Sequence, residues 1–155
     1  MASSQVWRDP QPAIGYPLAG SRPLGPLSEK PVVVVVGDST ASASSGYSIN
    51  LETATGDIAI HVNPRFGQGA TAVNDLAGRF WGYERTYPLF IDNLDHYVFK
   101  IKADGSKYEV YINSHFLTTF ESRTHCSAVT KLTVYGDATL RRVTQYTKNS
   151  EPTLY

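Results

Sequence analysis

The chain has 155 residues with 14 basic and 14 acidic side chains, so its formal net charge is zero. One domain with a sizeable core is expected at this length, and the balanced charge argues against nucleic acid or an anionic membrane as the main partner, since both demand a basic surface. Cys126 is the only cysteine, which excludes an intrachain disulfide and fits a reducing compartment; no stretch has the apolar length of a membrane span or the pattern of a signal peptide.

In chain order, residues 1–13 are polar and aperiodic and are expected to form a mobile tail. From Ile14 to Pro31, Gly20, Gly25 and four prolines suit an extended edge segment better than a helix. Val32 to Val36 is an unbroken β-branched run, a strand buried on both faces. Gly37 to Ser45 reads as a small-residue turn, and Tyr47 to Leu51 alternates into the next strand, closed by Thr55-Gly56-Asp57. A strand from Ile58 to Arg65 follows, with Ile58, Ile60 and Val62 directed to the core. Further on, Tyr97, Phe99, Ile101 and Ala103 alternate with Val98, Lys100 and Lys102 up to a hairpin at Asp104-Gly105. Tyr108, Val110 and Ile112 share a face of the return strand, and Asn113-Ser114 turns the chain into Phe116–Phe120. Lys131–Tyr135, a turn at Gly136-Asp137 and a strand from about Leu140 to Tyr146 complete the pattern, with 148–155 a short polar tail. Short strands, frequent turn signals and no adequate helical period define an all-β antiparallel sandwich or barrel.

The stretch from His61 to Thr86 carries the chemistry. On a regular strand His61, Asn63 and Arg65 share the face opposite Val62. Pro64 beside them lacks an N–H, which suggests that pairing ends nearby or that this position faces away from its neighbour, and leaves Arg65 near the rim. Asn74, Trp81 and Glu84 follow. Phe80 is assigned inward and Trp81 outward, with Gly82 leaving the indole uncluttered. Directional donors and acceptors next to an exposed indole suit a sugar, whose hydroxyls take hydrogen bonds while its apolar C–H patch lies on the ring. Taken alone, His61 reads as an ordinary solvent-facing histidine; Asn63 and Arg65 on the same face change that reading.

His-x-Asn-Pro-Arg, then Asn, then Trp-Gly-x-Glu resembles the carbohydrate-recognition signature of the galectins, matched here at His61, Asn63, Arg65, Asn74, Trp81 and Glu84. The resemblance spans roughly residues 14–146 and implies a two-sheet antiparallel jelly-roll sandwich, with a carbohydrate-recognition domain over 14–147. It implies that His61, Asn63 and Arg65 read the axial 4-hydroxyl of galactose, that Asn74 and Glu84 hold the 6-hydroxyl, and that Trp81 stacks beneath the ring. The implied partners are galactose-terminated glycans on glycoproteins or glycolipids. Synthesis in the cytosol is implied as well, with any export by a route that needs no signal peptide. One position departs from the family. A basic residue usually stands two places after the Glu, but here that place is Thr86 and the basic residue is Arg85. On a regular strand Arg85 would point into the sandwich, at great cost for an unpaired guanidinium. A bulge or early strand end is therefore expected near residue 85, with Arg85 swung towards Glu84 or into solvent.

Other readings fit less well. No metal or other cofactor is expected: His61 lacks a second His or Cys at ligand spacing, and Arg65 would repel a cation. His96, His115 and His125 are scattered and read as solvated. A glycosidase needs two carboxyls spaced across the scissile bond, and Asp75, next to Asn74, is turned away from Glu84 by alternation. The competing hypothesis is a structural or protein-binding module of the same fold with weak, altered or lost sugar binding. Crosslinking of glycans by a single site would require a homo-oligomer.

Overall fold

The computed structural model describes residues 14–151; the tail expected over 1–13 lies outside the described residues. Strands are numbered in chain order. One seven-stranded sheet runs β1 (Leu18–Pro23), β11 (Val129–Gly136), β3 (Tyr47–Thr53), β4 (Ile58–Arg65), β5 (Ala70–Ala77) and β6 (Phe80–Trp81), with β7 (Arg85–Pro88) also paired to β5. The five-stranded sheet runs β10 (His115–Glu121), β9 (Lys107–Ile112), β8 (His96–Asp104), β2 (Val32–Ser39) and β12 (Ala138–Tyr146). Every pairing in both sheets is antiparallel. The fold is an all-β jelly-roll sandwich, as expected, with a short 3-10 turn at Cys126–Ala128.

Alternation explains how the two sheets close on each other. Ile49 and Leu51 of β3, Ile60 and Val62 of β4, and Leu132 and Val134 of β11 meet Val33, Val35, Phe99, Ile101, Val110 and Ile112 from the other sheet. All of them are fully buried, and each such side chain contributes on the order of 1.5–3 kcal/mol relative to exposure. Because these residues point inward, their neighbours Ser48, Asn50, His61 and Asn63 are turned to the outer face of the seven-stranded sheet. The fold thus places the polar side chains of the central stretch on one surface.

Val32 and Val34 are also buried, on the opposite face of β2 from Val33 and Val35, so the valine run is covered on both sides. They lie across from Lys102 and Lys100 of β8, whose ammonium groups reach Glu151 at 2.9 and 3.1 Å. Residues 147–151 therefore fold back through a Thr147–Ser150 turn onto this sheet, and the rest of the expected tail, 152–155, lies outside the described residues.

Two further expectations change. Gly37 does not open a turn: β2 continues through Ser39, and a side chain at Gly37 would collide with the Thr139 carbonyl and the Tyr97 ring. Ile58 does not share a face with Ile60 and Val62. The β4–β5 register slips between Ile58 and His61, and that irregularity turns Ile58 to the outer face, where it packs with Leu76 beside Trp81 and Ile14. A bulge inserts one residue out of step and reverses which side chains face out.

Candidate functional site

β4 delivers His61, Asn63 and Arg65 to the outer face, and each is held by a different part of the fold. His61 Nδ1 lies 2.6 Å from Asn50 Oδ1 on the neighbouring strand β3. The Asn50 amide nitrogen donates to Ser48 Oγ at 3.1 Å, so its oxygen is the end facing the imidazole and His61 carries its proton on Nδ1. Nε2 is then a bare acceptor. Burial, with the Arg65 charge adding to it, pushes the His61 pKa down to about 3, so the ring is neutral near pH 7.

Asn63 is buried and donates to the Tyr47 carbonyl at 2.8 Å, which fixes its amide orientation and aims Oδ1 outward. Arg65 Nε donates to that oxygen at 2.8 Å. The two terminal nitrogens of Arg65 form a fork onto Glu84, at 3.1 and 2.8 Å. Three of the five guanidinium N–H groups are thereby engaged, and two remain for a ligand. Pro64 does not end the strand: it pairs with Thr71 of β5, while the ladder to β3 stops at Ile49–Val62 and resumes as a lone bridge from Gly46 to Arg65.

Asn74 stands opposite His61 on β5. Its Nδ2 donates to the Gly82 carbonyl at 3.1 Å and its Oδ1 accepts from the Asp75 N–H at 2.9 Å. Trp81 is half-buried, with its ring 4.9 Å from the His61 ring at a tilt of 59°. Its outward partner is not what alternation suggested. Phe80 is 62% exposed and so is not a core residue; β6 is only two residues long and sits at the sheet edge, where no second layer covers it.

The edge strand breaks where the misplaced basic residue required it to. β6 stops at Trp81, Gly82 keeps one backbone bond to the Asp75 carbonyl of β5 at 2.9 Å, residues 82–84 lie outside the strands, and β7 resumes at Arg85 against Val73. The break leaves Arg85 exposed with its guanidinium 5.8 Å from the Tyr83 ring centroid, and Glu84 turned to Arg65. His61, Asn63, Arg65, Asn74, Trp81 and Glu84 line one pocket of about 450 Å3; Arg85 lies outside that lining. His96, His115 and His125 are exposed and remote from it.

Sequence reasoning missed two supports and a third wall. Asp75 is indeed turned from the pocket, but it is buried and grips Arg123: the Arg123 backbone N–H donates at 2.8 Å and the guanidinium at 3.0–3.2 Å. Arg123 also donates to the Phe80 carbonyl at 2.8 Å. This pair ties β5 and β6 to the loop after β10. Gly82 serves the same network, since a Cβ there would collide with the Asp75 carboxylate. Asn50 was legible as an outward residue of β3, but its match to His61 depends on register. The third wall is Ile14, Gly15 and Tyr16, which line the pocket as well.

The domain is thus an antiparallel jelly-roll sandwich with a polar pocket and a half-buried indole on one sheet. The galactoside-binding lectin family model matches residues 19–145, and the chain belongs to that family, the galectins. It is 27% identical over 115 residues to a 32 kDa beta-galactoside-binding lectin of Haemonchus contortus, covering 71% of this chain and 41% of that protein. It is 30% identical over 124 residues to human galectin-4, covering 77% of this chain and 38% of the relative. The chain thus spans less than half the length of these relatives. Among solved structures, a Caenorhabditis elegans galectin superposes with a TM-score of 0.73 at 22% identity, covering 82% of this chain and 89% of the other. Sheep galectin-11 gives 0.72 at 20% identity, covering 83% and 98%. These two likenesses concern the fold.

Proposed function

We propose that this chain binds β-galactoside-containing glycans non-covalently, as a lectin with no catalytic step. The observation that carries the reading is the polarity of the pocket: the bare Nε2 acceptor of His61 and the uncommitted N–H donors of Arg65 belong to residues that line the same pocket. An axial 4-hydroxyl can give its proton to His61 and take an N–H from Arg65, while Asn63 holds Arg65 in place and offers its second Oδ1 lone pair. The 6-hydroxyl then falls to Asn74 and the Glu84 carboxylate, and Trp81 lies under the apolar face of the ring, a contact of about 0.5–1.5 kcal/mol beyond the area buried.

Glucose differs from galactose by the equatorial 4-hydroxyl. It would leave His61 Nε2 and an Arg65 N–H desolvated and unpaired, at about 1–3 kcal/mol each. Family membership and the β-galactoside-binding relative support the same ligand class. The partners are then galactose-terminated glycans on glycoproteins or glycolipids, met in the cytosol or after export without a signal peptide. Crosslinking of such glycans by this one site requires self-association.

Retention on immobilised lactose tests the reading. The protein is expected to stay on the column through a sucrose wash and to elute with free lactose. Passage through the column, or elution by sucrose, would leave a galectin fold that has lost its sugar.

A further inference from the structure

Ile14, Gly15 and Tyr16 reach the pocket from the wrong side of the sheet. They precede β1, the edge strand, which is separated from β4 by β11 and β3. The anchor is firm: Gly136 N–H donates to the Pro17 carbonyl at 2.8 Å, and Leu18 pairs with Tyr135. From there the segment crosses the outer face. The Tyr16 hydroxyl accepts from Asn63 Nδ2 at 3.4 Å, and Ile14 packs on the Ile58–Leu76 pair next to Trp81. Between them Gly15 adopts φ +84°, a left-handed conformation that suits glycine. A Cβ at Gly46 would collide with the Pro64 carbonyl and would also stand 3.2 Å from the Tyr16 oxygen. Even with this segment in place, the pocket holds about 450 Å3, within the ~300–1,000 Å3 of small-molecule sites. The segment bounds the pocket and does not fill it.

The direction of that boundary matters, given the galactoside reading on which this inference rests. In a pyranose ring C4 lies between C3 and C5, and C5 bears C6. A galactose with its 6-hydroxyl at β5 and its 4-hydroxyl at β4 therefore turns its C3 edge towards β3, the side from which Ile14–Tyr16 arrives. The opposite side, past Glu84 and Arg85, is exposed.

We propose that Tyr16 is a specificity-determining residue: with its segment anchored by Ile14 on Ile58 and Leu76, it walls the galactose subsite on its C3 edge and selects galactose that carries no further sugar at the 3-hydroxyl. Tyr16 packs its ring against that edge, and its hydroxyl, which only accepts from Asn63, keeps its own proton for a sugar oxygen. A 3-linked unit would have to displace the phenol from Asn63 and Ile14 from its apolar seat.

Calorimetric titration with lactose and with lactose bearing an α-galactose on the galactose 3-hydroxyl tests this, the neutral cap avoiding any charge effect. Wild type is expected to prefer lactose by at least about tenfold. The Ile14→Ala/Tyr16→Ala double variant is expected to bring that ratio within about threefold, chiefly by gaining the capped ligand. Tyr16→Ala alone, which leaves Ile14 seated, should shift the ratio in the same direction by less, and Tyr16→Phe, which keeps the ring, should leave it high. A thermal melt of each variant checks the fold. Equal binding of both ligands by wild type, or an unchanged ratio in the folded Tyr16→Ala variant, would overturn the wall. Binding of neither ligand by wild type would instead remove the galactoside reading, and the wall with it.

Discussion

On the β4 side of the pocket, each polar group is fixed by something the fold has already placed. His61 is set by Asn50 across the strand pair, and Asn63 by the Tyr47 carbonyl. On the β6–β7 side the chain leaves the sheet, the Glu84 side chain is 42% exposed and answers to Arg65, and Arg85 rests over Tyr83 in solvent. Arg65, with its side chain 26% exposed, joins the two. The contrast assigns different work to the two sides. Buried, pre-oriented groups discriminate strongly because a mismatched ligand leaves them unpaired; exposed groups adjust cheaply, and Arg85, past Glu84, is placed to tune what lies beyond the first sugar.

Cutting the joint should have the largest effect. Arg65→Ala removes two charged donors to the ligand and frees Glu84 from its partner, so lactose affinity is expected to fall by about 100-fold or more, near 3 kcal/mol. Circular dichroism should show the fold retained, since the guanidinium lies outside the core; near-normal calorimetric affinity would mean the pocket is not the site. Trp81→Ala comes next, at roughly 10- to 100-fold in affinity, with a modest drop in melting temperature because Ile58 and Leu76 lose a neighbour.

The His61 pKa sharpens the comparison through pH. A folded value near 3 against about 6.5 unfolded means that the unfolded chain takes up the proton first. Its contribution to stability is full above pH 6.5 and falls as pH drops towards 3, by about 2 kcal/mol at pH 5. Chemical denaturation of wild type and His61→Gln should show that slope in wild type and a shallower one in the variant. Lactose affinity, by contrast, should stay flat from pH 8 to about 5, because the ring does not titrate in the folded state. A binding curve that breaks near pH 6.5 would place His61 in a far more solvated setting.

The smallest effects belong to the exposed side. Arg85→Ala should change lactose affinity by less than about threefold, yet alter the ranking of lactose, N-acetyllactosamine and galactose linked to N-acetylgalactosamine. An identical ranking in both proteins would show that Arg85 has no part in reading the second sugar.

Much of this was legible in the sequence because it is local. Alternation located several strands to within two residues, though it ended β2 at Val36 and gave no strand over Ala70–Ala77; the positions of Arg85 and Thr86 foretold the break between β6 and β7, since a buried guanidinium with no partner was the alternative. What escaped depends on pairing between distant segments. The irregularity that turns Ile58 outward lies in the β4–β5 register, and no property of Ile58 announces it. Phe80 follows the alternation rule only if its strand has a layer behind it, and a two-residue edge strand has none. Asp75 finds Arg123 at a separation that no motif spans, and Ile14–Tyr16 crosses the sheet from an edge that looked like a lead-in.

The central claim is that His61 and Arg65 read an axial hydroxyl, and lactose against cellobiose isolates it, because the two disaccharides differ only in the configuration at that carbon. Titration calorimetry of the wild-type protein with each is expected to give lactose at least about 100-fold tighter binding, the cost of leaving a buried acceptor and a half-buried charged donor unpaired. Equal affinity for cellobiose, or heat from neither sugar, would contradict it.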